Sequence, residues 1–485
     1  MAFEFLRRRV NRSALRSLRE RGSRVERFKL TSKRRIRETL LADEEIAHAV
    51  QIHAKEHGLN ITEVWRKVEQ YIDEIVPFFS ILAYYRFGYF VSRMLLHVFY
   101  KVSAEQRGTR GAASLPEDAI VVYLMNHRSN ADYVLVGYVL TGKVAISYAV
   151  GEWARAFPLE YIFKSFGSYF VRRKFREPLY HKVLERYVQL ITRNGVTQGI
   201  FPEGGLSRDG KLRSAKIGLL DYVIGVARDP AYRNRIYLVP VAINYDRVLE
   251  DRSLLRELAV TRGERTPPRS AQFGEVIRYV WWNLGRLVFR RWKRYGRAAV
   301  TIGEPLPLEP WLDEQEASGE GMFDIPRHER LAKVQELCDD MMSRIGAIIP
   351  VTPVTLACAA IQSLDSDFIA REKLIQRMSD MRDVLGELNA RTVRSEGPIE
   401  ETFDRAYKML SMRRMLVETG EGYAVLPKGR SLISYYANSI AHLLGPFEEG
   451  VRLRDTLPAL RGWIEGTPQR TPDLGQRTVR PLNPH

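Results

Sequence analysis

Residues 119–132 read AIVVYLMNHRSNAD, and this stretch decides the fold. Its first half is a continuous run of apolar and β-branched residues, which is typical of a strand buried inside a parallel sheet. Its second half is a polar turn that carries His127 and Asp132, five positions apart, and leads into helical spacing at 130–140. An imidazole with a pKa of about 6.5 can take the proton of a hydroxyl group, and a carboxylate can orient the ring and stabilise its charged form. The stretch therefore predicts a strand, a turn and a helix that present a base and its orienting carboxylate.

The pattern of strand followed by helix repeats along the chain. Further apolar, β-rich runs lie at 144–150, 169–171, 198–201 and 236–244, and further helical patterns lie at 179–192 and 216–227. This alternation predicts an α/β fold with a mostly parallel central sheet flanked by helices. Residues 298–302 are expected to form a last strand that leaves the sheet.

Three later segments carry unusual combinations of residues: GSYFVRR at 167–173, FPEGGLSRDG at 201–210 and VPVAINY at 239–245. Together with the His-x4-Asp turn, they resemble the four ordered blocks of the glycerolipid acyltransferase superfamily. The segments VPVAINYDRVLE at 239–250, IPVTPV at 349–354 and YYANSIAH at 435–442 are similar to its glycerol-3-phosphate acyltransferase branch.

This resemblance extends over about residues 75–445 and implies the glycerolipid acyltransferase fold. It also implies an enzyme that moves a fatty acyl group from acyl-CoA or acyl-carrier protein to the sn-1 hydroxyl of glycerol 3-phosphate. The product is 1-acyl-glycerol 3-phosphate, an intermediate of phospholipid biosynthesis. The alternatives are a dihydroxyacetone-phosphate or lysophosphatidate acyltransferase, or a membrane-surface scaffold with the same fold and no catalysis.

The second and third blocks are expected to hold the acceptor. Arg172 and Arg173 offer forked donors that suit a phosphate group, although only one of two neighbours on a strand would normally enter a cleft. In the third block a Gly-rich loop lets backbone amides approach an anion closely. Leu206 stands where many relatives have Arg, which removes one possible phosphate donor. The phosphate-binding role is therefore expected to fall to Arg208 or Lys216. The glycerol-phosphate residues implied by the resemblance are Arg172, Arg173, Glu203, Gly204, Gly205, Ser207, Arg208 and Lys216.

The fourth block is expected to shape the acyl-donor side through Pro240 and Tyr245. The nucleophile pattern G-x-S-x-G is absent from the sequence, so direct transfer is preferred over an acyl-enzyme. In that mechanism His127 is the base and Asp132 its orienter. The reaction is expected to need no metal and no cofactor beyond the acyl thioester.

Composition narrows the setting in which such an enzyme would work. The net charge is +17 and no nucleic-acid motif occurs, so an anionic lipid surface is the expected polyanionic partner.

Residues 75–102 and 276–294 combine aromatics with Arg, which favours helices that lie in a membrane interface over helices that span it. The basic first forty residues fit membrane or partner contact, a solvated tail or a targeting sequence. We expect a membrane-associated protein on the cytoplasmic face of a bacterial inner membrane, or of an organelle membrane in a eukaryote.

The chain is long enough for more than one domain, with 485 residues, and its two Cys give no sign of a disulfide framework or a zinc site. After a Pro-, Gly- and acid-rich loop at 310–326, helical patterns follow at 329–348, 353–363, 369–388 and 399–418. The predicted organisation is a basic N-terminal helical or flexible region at 1–74, the catalytic α/β domain with interfacial membrane segments at 75–309, a linker at 310–328, a helical C-terminal domain at 329–462 and a disordered tail at 463–485.

Overall fold

The computed structural model describes residues 31–78, 89–108, 111, 114–140, 146–151, 159–172, 175–261, 295–317, 319, 321–393 and 397–444. These residues form two compact units. The first unit comprises the described parts of Met1–Leu206, Ser214–Ile243 and Val300–Ile345, and the second comprises those of Ser207–Arg213, Asn244–Ala299 and Gly346–His485. The predicted domains are consecutive stretches of chain, whereas the chain passes between these two units several times.

The sheet of eight strands that the described residues form is mostly parallel. Its strands are β1 (Lys101–Gln106), β2 (Ile120–Met125), β3 (Ser147–Gly151), β4 (Tyr169–Val171), β5 (Gln198–Ile200), β6 (Ile236–Tyr245), β7 (Arg297–Ile302) and β8 (Leu306–Pro307). Their order is β1-β7-β6-β2-β5-β3-β4, and β8 pairs with β6. The pairs β2–β5, β2–β6, β3–β5 and β3–β4 are parallel, and β6–β8 is antiparallel.

Helices cover this sheet in the first unit. They are α1 (Lys33–Leu41), α2 (Glu44–His57), α3 (Ile61–Ile75), α4 (Tyr89–Phe99), α5 (Asp132–Leu140), α6 (Leu159–Ser165), α7 (Pro178–Arg193), α8 (Gly218–Ile224) and α9 (Pro230–Arg233), with a 3₁₀ turn at Gly225–Arg228. Every residue of β2 is buried, as expected for an inner strand of a parallel sheet. The predicted α/β class is therefore confirmed.

Residues 298–302 form a strand, but this strand does not leave the sheet. β7 lies between β1 and β6, and the chain then returns through β8 to pair again with β6. The central position of β7 is consistent with its sequence RAAVTI, in which five of six residues are buried.

The expectation of a loop at 310–326 is wrong over its first part, where the chain forms α11 (Glu309–Ala317). Pro310 is tolerated because it lies in the first turn, where a backbone N–H has no helical partner. Leu312 is fully buried, and Arg233 forms ion pairs with two carboxylates of this helix at 2.8 Å. Burial and pairing thus outweigh a composition that is typical of loops.

The predicted helical C-terminal domain is confirmed as mainly helical. Its helices are α12 (Arg327–Ala347), α13 (Pro353–Leu364), α14 (Arg371–Glu387), α15 (Ile399–Met412), α16 (Pro427–Ala437) and α17 (Ala441–Leu444). Up to Ile345, α12 belongs to the first unit, whereas α13 to α17 and α10 (Asp251–Thr261) belong to the second. A small antiparallel sheet was not predicted. It consists of β9 (Phe368–Ala370), β10 (Leu416–Thr419) and β11 (Gly422–Val425), in the order β10-β11-β9. The helix predicted at 399–418 ends at Met412 and is followed by Arg414 in a left-handed conformation, with φ of 55°.

Among the described residues, none of the helices combines the length and the apolarity needed to cross a membrane. The predicted interfacial segment at 276–294 lies outside the described residues. Of the segment at 75–102, residues 79–88 also lie outside them, and part of the remainder forms α4.

Candidate active site

The turn after β2 is fixed by Asn126, whose side-chain amide pairs with the backbone of β6 as the backbone of a neighbouring strand would. Asn126 donates from Nδ2 to the carbonyl oxygen of Ile243 at 2.9 Å and accepts from the N–H of Ile243 at Oδ1 at 2.7 Å. Both groups are buried, so each bond satisfies a polar atom that has been withdrawn from water. Asn126 therefore ties the start of the turn to the neighbouring strand β6 and sets the direction in which His127 leaves the sheet.

His127 and Asp132 form a buried pair at the carboxyl end of β2. His127 Nδ1 lies 2.9 Å from Asp132 Oδ2, and the two residues are 1% and 0% exposed. The same carboxylate oxygen accepts the N–H groups of Arg128 at 2.7 Å and Ser129 at 3.0 Å. Because an ionised carboxylate only accepts hydrogen bonds, Nδ1 carries the proton of the neutral ring and Nε2 carries the lone pair. This is the tautomer in which Nε2 can act as a base.

Aromatic rings fix the plane of the imidazole. His127 stacks on Phe201, with ring centroids 4.1 Å apart and planes inclined by 27°, and Tyr133 meets it edge-on at 5.5 Å. Phe201 follows β5, the parallel neighbour of β2, so the carboxyl ends of two adjacent strands supply the base and its packing partner. In open α/β sheets this edge is where ligands usually bind.

The Gly-rich loop after β5 contacts the same turn. The carboxylate of Glu203 is 2% exposed and accepts the backbone N–H of His127 at 3.0 Å. Gly204 has φ of 66°, and a Cβ at this position would lie 2.8 Å from Cδ of Lys216. The left-handed backbone favours glycine at this position, and the Lys216 side chain lies against it. Of the predicted residues in the first unit, the structure brings together His127, Asp132, Glu203, Gly204 and Lys216, and Gly205 lies in the same loop.

Arg172 is held by the N-terminal helices. Its Nε and Nη2 donate to the two carboxylate oxygens of Glu74 at 2.8 and 2.5 Å. These hydrogen bonds raise the pKa of the Arg172 guanidinium, which stays charged. Three rings surround the guanidinium carbon within 5.6 Å, and they belong to Tyr71, Phe175 and Tyr180. Arg173 lies outside the described residues.

Pro240 lies in the middle of β6, which is an inner strand and not an edge. It pairs with Leu124 of β2, and its carbonyl oxygen accepts the N–H of Gly303 at 2.8 Å. The missing N–H of Pro240 would make a position in a central strand unfavourable in general. In this structure Pro240 nevertheless lies between two neighbouring segments. Its carbonyl oxygen bonds the N–H of Gly303 on one side, and it is in register with Leu124 of β2 on the other.

Three predicted site residues belong to the second unit. Ser207 donates from Oγ to the carbonyl oxygen of Lys211 at 2.7 Å, and Arg208 forms an ion pair with Glu257 at 3.0 Å. The Arg208 pair is exposed, with side-chain exposures of 43% and 37%. Tyr245 is fully buried at the end of β6.

Sequence reasoning missed Asn126, Phe201 and Glu74. Asn126 directly precedes His127, and its position after a buried strand is the only local signal that it carries. Phe201 begins the third block, in which the Glu and Gly residues indicate the function and the aromatic ring does not. Glu74 is 98 positions from its partner Arg172, and nothing in the local sequence indicates the pairing.

Comparisons with known proteins show similarity to acyltransferases. Residues 107–244 match the family described as acyltransferase, and residues 281–446 match the glycerol-3-phosphate acyltransferase C-terminal region. Proteins named glycerol-3-phosphate acyltransferase from Aeromonas hydrophila and Xylella fastidiosa are each 27% identical to this chain, over 422 and 425 residues. These alignments cover 86% and 85% of this chain, and 50% and 47% of the respective relatives. The chain thus spans about half the length of the curated relatives it matches.

Among solved structures, the 1-acyl-sn-glycerophosphate (LPA) acyltransferase from Thermotoga maritima is 18% identical, with a TM-score of 0.30. The similarity covers 53% of this chain and 77% of that one.

Proposed function

We propose that this chain, a homologue of proteins named glycerol-3-phosphate acyltransferase, transfers a fatty acyl group from a thioester to the sn-1 hydroxyl of glycerol 3-phosphate. The observation that carries the proposal is the buried His127–Asp132 pair, whose hydrogen bond puts the basic lone pair on Nε2. Hydroxyl groups of alcohols are poor nucleophiles near neutral pH until a positioned base removes their proton. The similarity to the acyltransferases supplies the reaction class, and the pair supplies the base that this class requires.

The proposed reaction uses direct transfer. His127 Nε2 takes the proton of the acceptor hydroxyl while the hydroxyl oxygen bonds to the carbonyl carbon of the thioester. Asp132 stabilises the imidazolium that forms. The tetrahedral oxyanion is stabilised by backbone N–H donors, the C–S bond breaks, and the thiolate takes the proton back from the imidazolium. Acyl-CoA or acyl-carrier protein is the proposed donor.

Glu203 and Gly204 keep this base in place. The Glu203 carboxylate holds the backbone N–H of His127, and the open backbone of Gly204 lets Lys216 approach the loop. Either Lys216, in the first unit with Gly205, or Arg208, in the second unit with Ser207, is the proposed phosphate ligand. Arg172 is engaged by Glu74, so a phosphate at Arg172 would compete with a bidentate carboxylate.

Pro240 and Tyr245 are proposed for the acyl-donor side.

The acceptor can be identified by a panel. Purified protein in detergent micelles receives one labelled palmitoyl-CoA and, in separate reactions, glycerol 3-phosphate, dihydroxyacetone phosphate or lysophosphatidate. Labelled 1-acyl-glycerol 3-phosphate is the expected main product. Labelled product with lysophosphatidate alone would overturn the proposed acceptor.

Membrane-surface association is proposed as well. The net charge of +17 favours anionic lipid, and an acyl product partitions into the bilayer. We propose peripheral attachment at a cytoplasmic membrane face. Flotation with phosphatidylglycerol vesicles should recover the protein at low salt and lose much of it at about 0.5 M salt. Equal recovery with neutral phosphatidylcholine vesicles would contradict an electrostatic contribution.

A further inference from the structure

Residues 435–439, at the end of α16 and in the turn that follows, contact two loops of the second unit at once. We call these residues the brace. One loop, Ser207–Arg213, follows the Gly-rich segment of the third block, and we call it the acceptor loop. The other, residues 244–251, runs from the last two residues of β6 to the first residue of α10, and we call it the donor loop. Both loops, and the whole brace, lie within the second unit.

The first face of the brace holds the acceptor loop. Asn438 Nδ2 donates to the carbonyl oxygen of Asp209 at 2.8 Å. Gly210 has φ of 85°, and a Cβ there would lie 1.9 Å from the carbonyl oxygen of Tyr435. The acceptor loop therefore packs backbone to backbone on the brace, at a distance that only glycine allows.

The second face holds the donor loop. Tyr436 accepts the N–H of Val248 at its hydroxyl oxygen at 3.0 Å and donates the hydroxyl proton to Asp251. Ser439 Oγ accepts from Asn244 Nδ2 at 3.3 Å. Tyr436 is 2% exposed and Asp251 is 3% exposed, so these are interior bonds whose loss leaves buried polar groups unpaired.

A buried arginine reinforces the second face. Arg413 donates from Nη2 to Asp251 Oδ1 at 2.8 Å and from Nη1 to the Tyr436 hydroxyl at 2.9 Å. Arg413 and Asp251 have side-chain exposures of only 3% and 4%. Breaking a buried pair of this kind is strongly destabilising, so Arg413 stabilises the contact of the donor loop with the brace.

The two loops are contacted by different groups of the brace. Tyr435, through its backbone carbonyl oxygen, and Asn438, through its side chain, contact the acceptor loop. Tyr436 and Ser439 contact the donor loop through their side chains. One short segment thus reaches two loops through separate atoms.

The acceptor loop is also closed internally. Ser207 Oγ donates to the Lys211 carbonyl oxygen, and Asp209 Oδ1 accepts the N–H of Lys211 at 3.1 Å. A loop tied to itself and to the brace presents Arg208 from a fixed backbone. The exposed pair of Arg208 with Glu257 is weak in water, so an incoming dianion can replace Glu257.

We propose that the brace is a positioning element of the acyltransferase, with Asn438 setting the acceptor loop and Tyr436 setting the donor loop independently. This gives the C-terminal region, which includes residues 435–439, a role in substrate binding. The inference rests on the proposed function, in which the acceptor loop contributes to phosphate binding and the donor loop borders the acyl thioester.

The first arm of the test does not depend on activity. Hydrogen–deuterium exchange is measured on the full chain and on N438D, which replaces the amide donor by a carboxylate of the same shape. Amides at 207–213 should exchange about tenfold faster in N438D, as expected for the loss of one hydrogen bond, while those at 244–251 should be unchanged. N194D is the matched control, because Asn194 Nδ2 also donates to a backbone carbonyl oxygen, that of Leu190, at 2.8 Å. Equal exchange in N438D and N194D would overturn the role of Asn438.

The second arm separates the two substrates. In N438D the KM for glycerol 3-phosphate should rise about five- to tenfold, with the KM for palmitoyl-CoA within about twofold. In Y436F the pattern should be reversed, and S439A replaces Y436F if that variant does not fold. Equal changes in both KM values would show a general loss of structure and would contradict the two-faced brace. An inactive wild type would refute the proposed function, whereas an active wild type with unchanged N438D would refute this inference alone.

Discussion

Replacing Asp132 by Asn keeps the shape of a buried side chain and removes only its charge. The Asn oxygen can still accept the N–H groups of Arg128 and Ser129, which now bond Asp132 Oδ2 at 2.7 and 3.0 Å. The turn should therefore keep its structure. The loss falls on the imidazolium of His127, which forms only during the reaction and which Asp132 would stabilise.

The size of the effect follows from the geometry. His127 Nδ1 lies 2.9 Å from Asp132 Oδ2, and the centres of the two delocalised charges are about 4–5 Å apart. At an effective dielectric constant of about 20, their attraction is about 3–4 kcal/mol. Loss of this stabilisation in the transition state lowers kcat about 10²- to 10³-fold.

The assay is release of CoA thiol from palmitoyl-CoA in the presence of glycerol 3-phosphate. D221N is the matched control, because Asp221 is also a buried carboxylate of the first unit, paired with Arg330 at 3.3 Å. D221N should keep kcat within about threefold whatever its cost in stability. A D132N variant that is folded and retains kcat within about threefold would refute the role given to Asp132.

Three further predictions concern stability and can be checked by urea unfolding. E203A should lower the free energy of unfolding by about 1–3 kcal/mol, because it removes the acceptor of the buried His127 N–H. E203Q keeps an acceptor oxygen and should cost about 1 kcal/mol or less. Equal losses in the two variants would contradict this role of Glu203. R172A should cost about 2–4 kcal/mol, since it removes the bidentate partner of the nearly buried Glu74 carboxylate. A double-mutant cycle with E74A should give a coupling of about 1–3 kcal/mol, and additive effects would disprove a stabilising Arg172–Glu74 pair. Burial raises the pKa of Asp246. The folded protein therefore keeps this proton to higher pH than the unfolded chain, so the stability of the wild type relative to D246N should fall as pH rises from about 4 through the raised pKa. A stability difference independent of pH would refute it.

Features that depend on neighbouring residues could be predicted from the sequence. The run at 119–124 is apolar without interruption, which indicates an inner strand, and the turn after it places His127 and Asp132 close together in sequence and in space. The predicted strands at 169–171 and 236–244 coincide with β4 and, to within one residue, β6. The bounds of these two strands follow the ends of apolar runs, which can be read directly from the sequence.

Features that depend on distant partners could not be predicted. Asn126 bonds a residue 117 positions away, and Asn438 bonds a residue 229 positions away. The hairpin of β10 and β11 was missed because helical spacing was extended through it, although Thr419 pairs directly with Gly422 across a two-residue turn that contains Gly420. Helical periodicity is a property of one element, whereas these contacts arise only after the elements pack.

His127 is proposed as the base of an acyl transfer to glycerol 3-phosphate. The most direct measurement compares thiol release from palmitoyl-CoA by the wild type and by H127A, with and without glycerol 3-phosphate. Thiol release should require the acceptor and should fall about 10²-fold or more in H127A. Release that is independent of the acceptor, or that persists unchanged in a folded H127A variant, would contradict it.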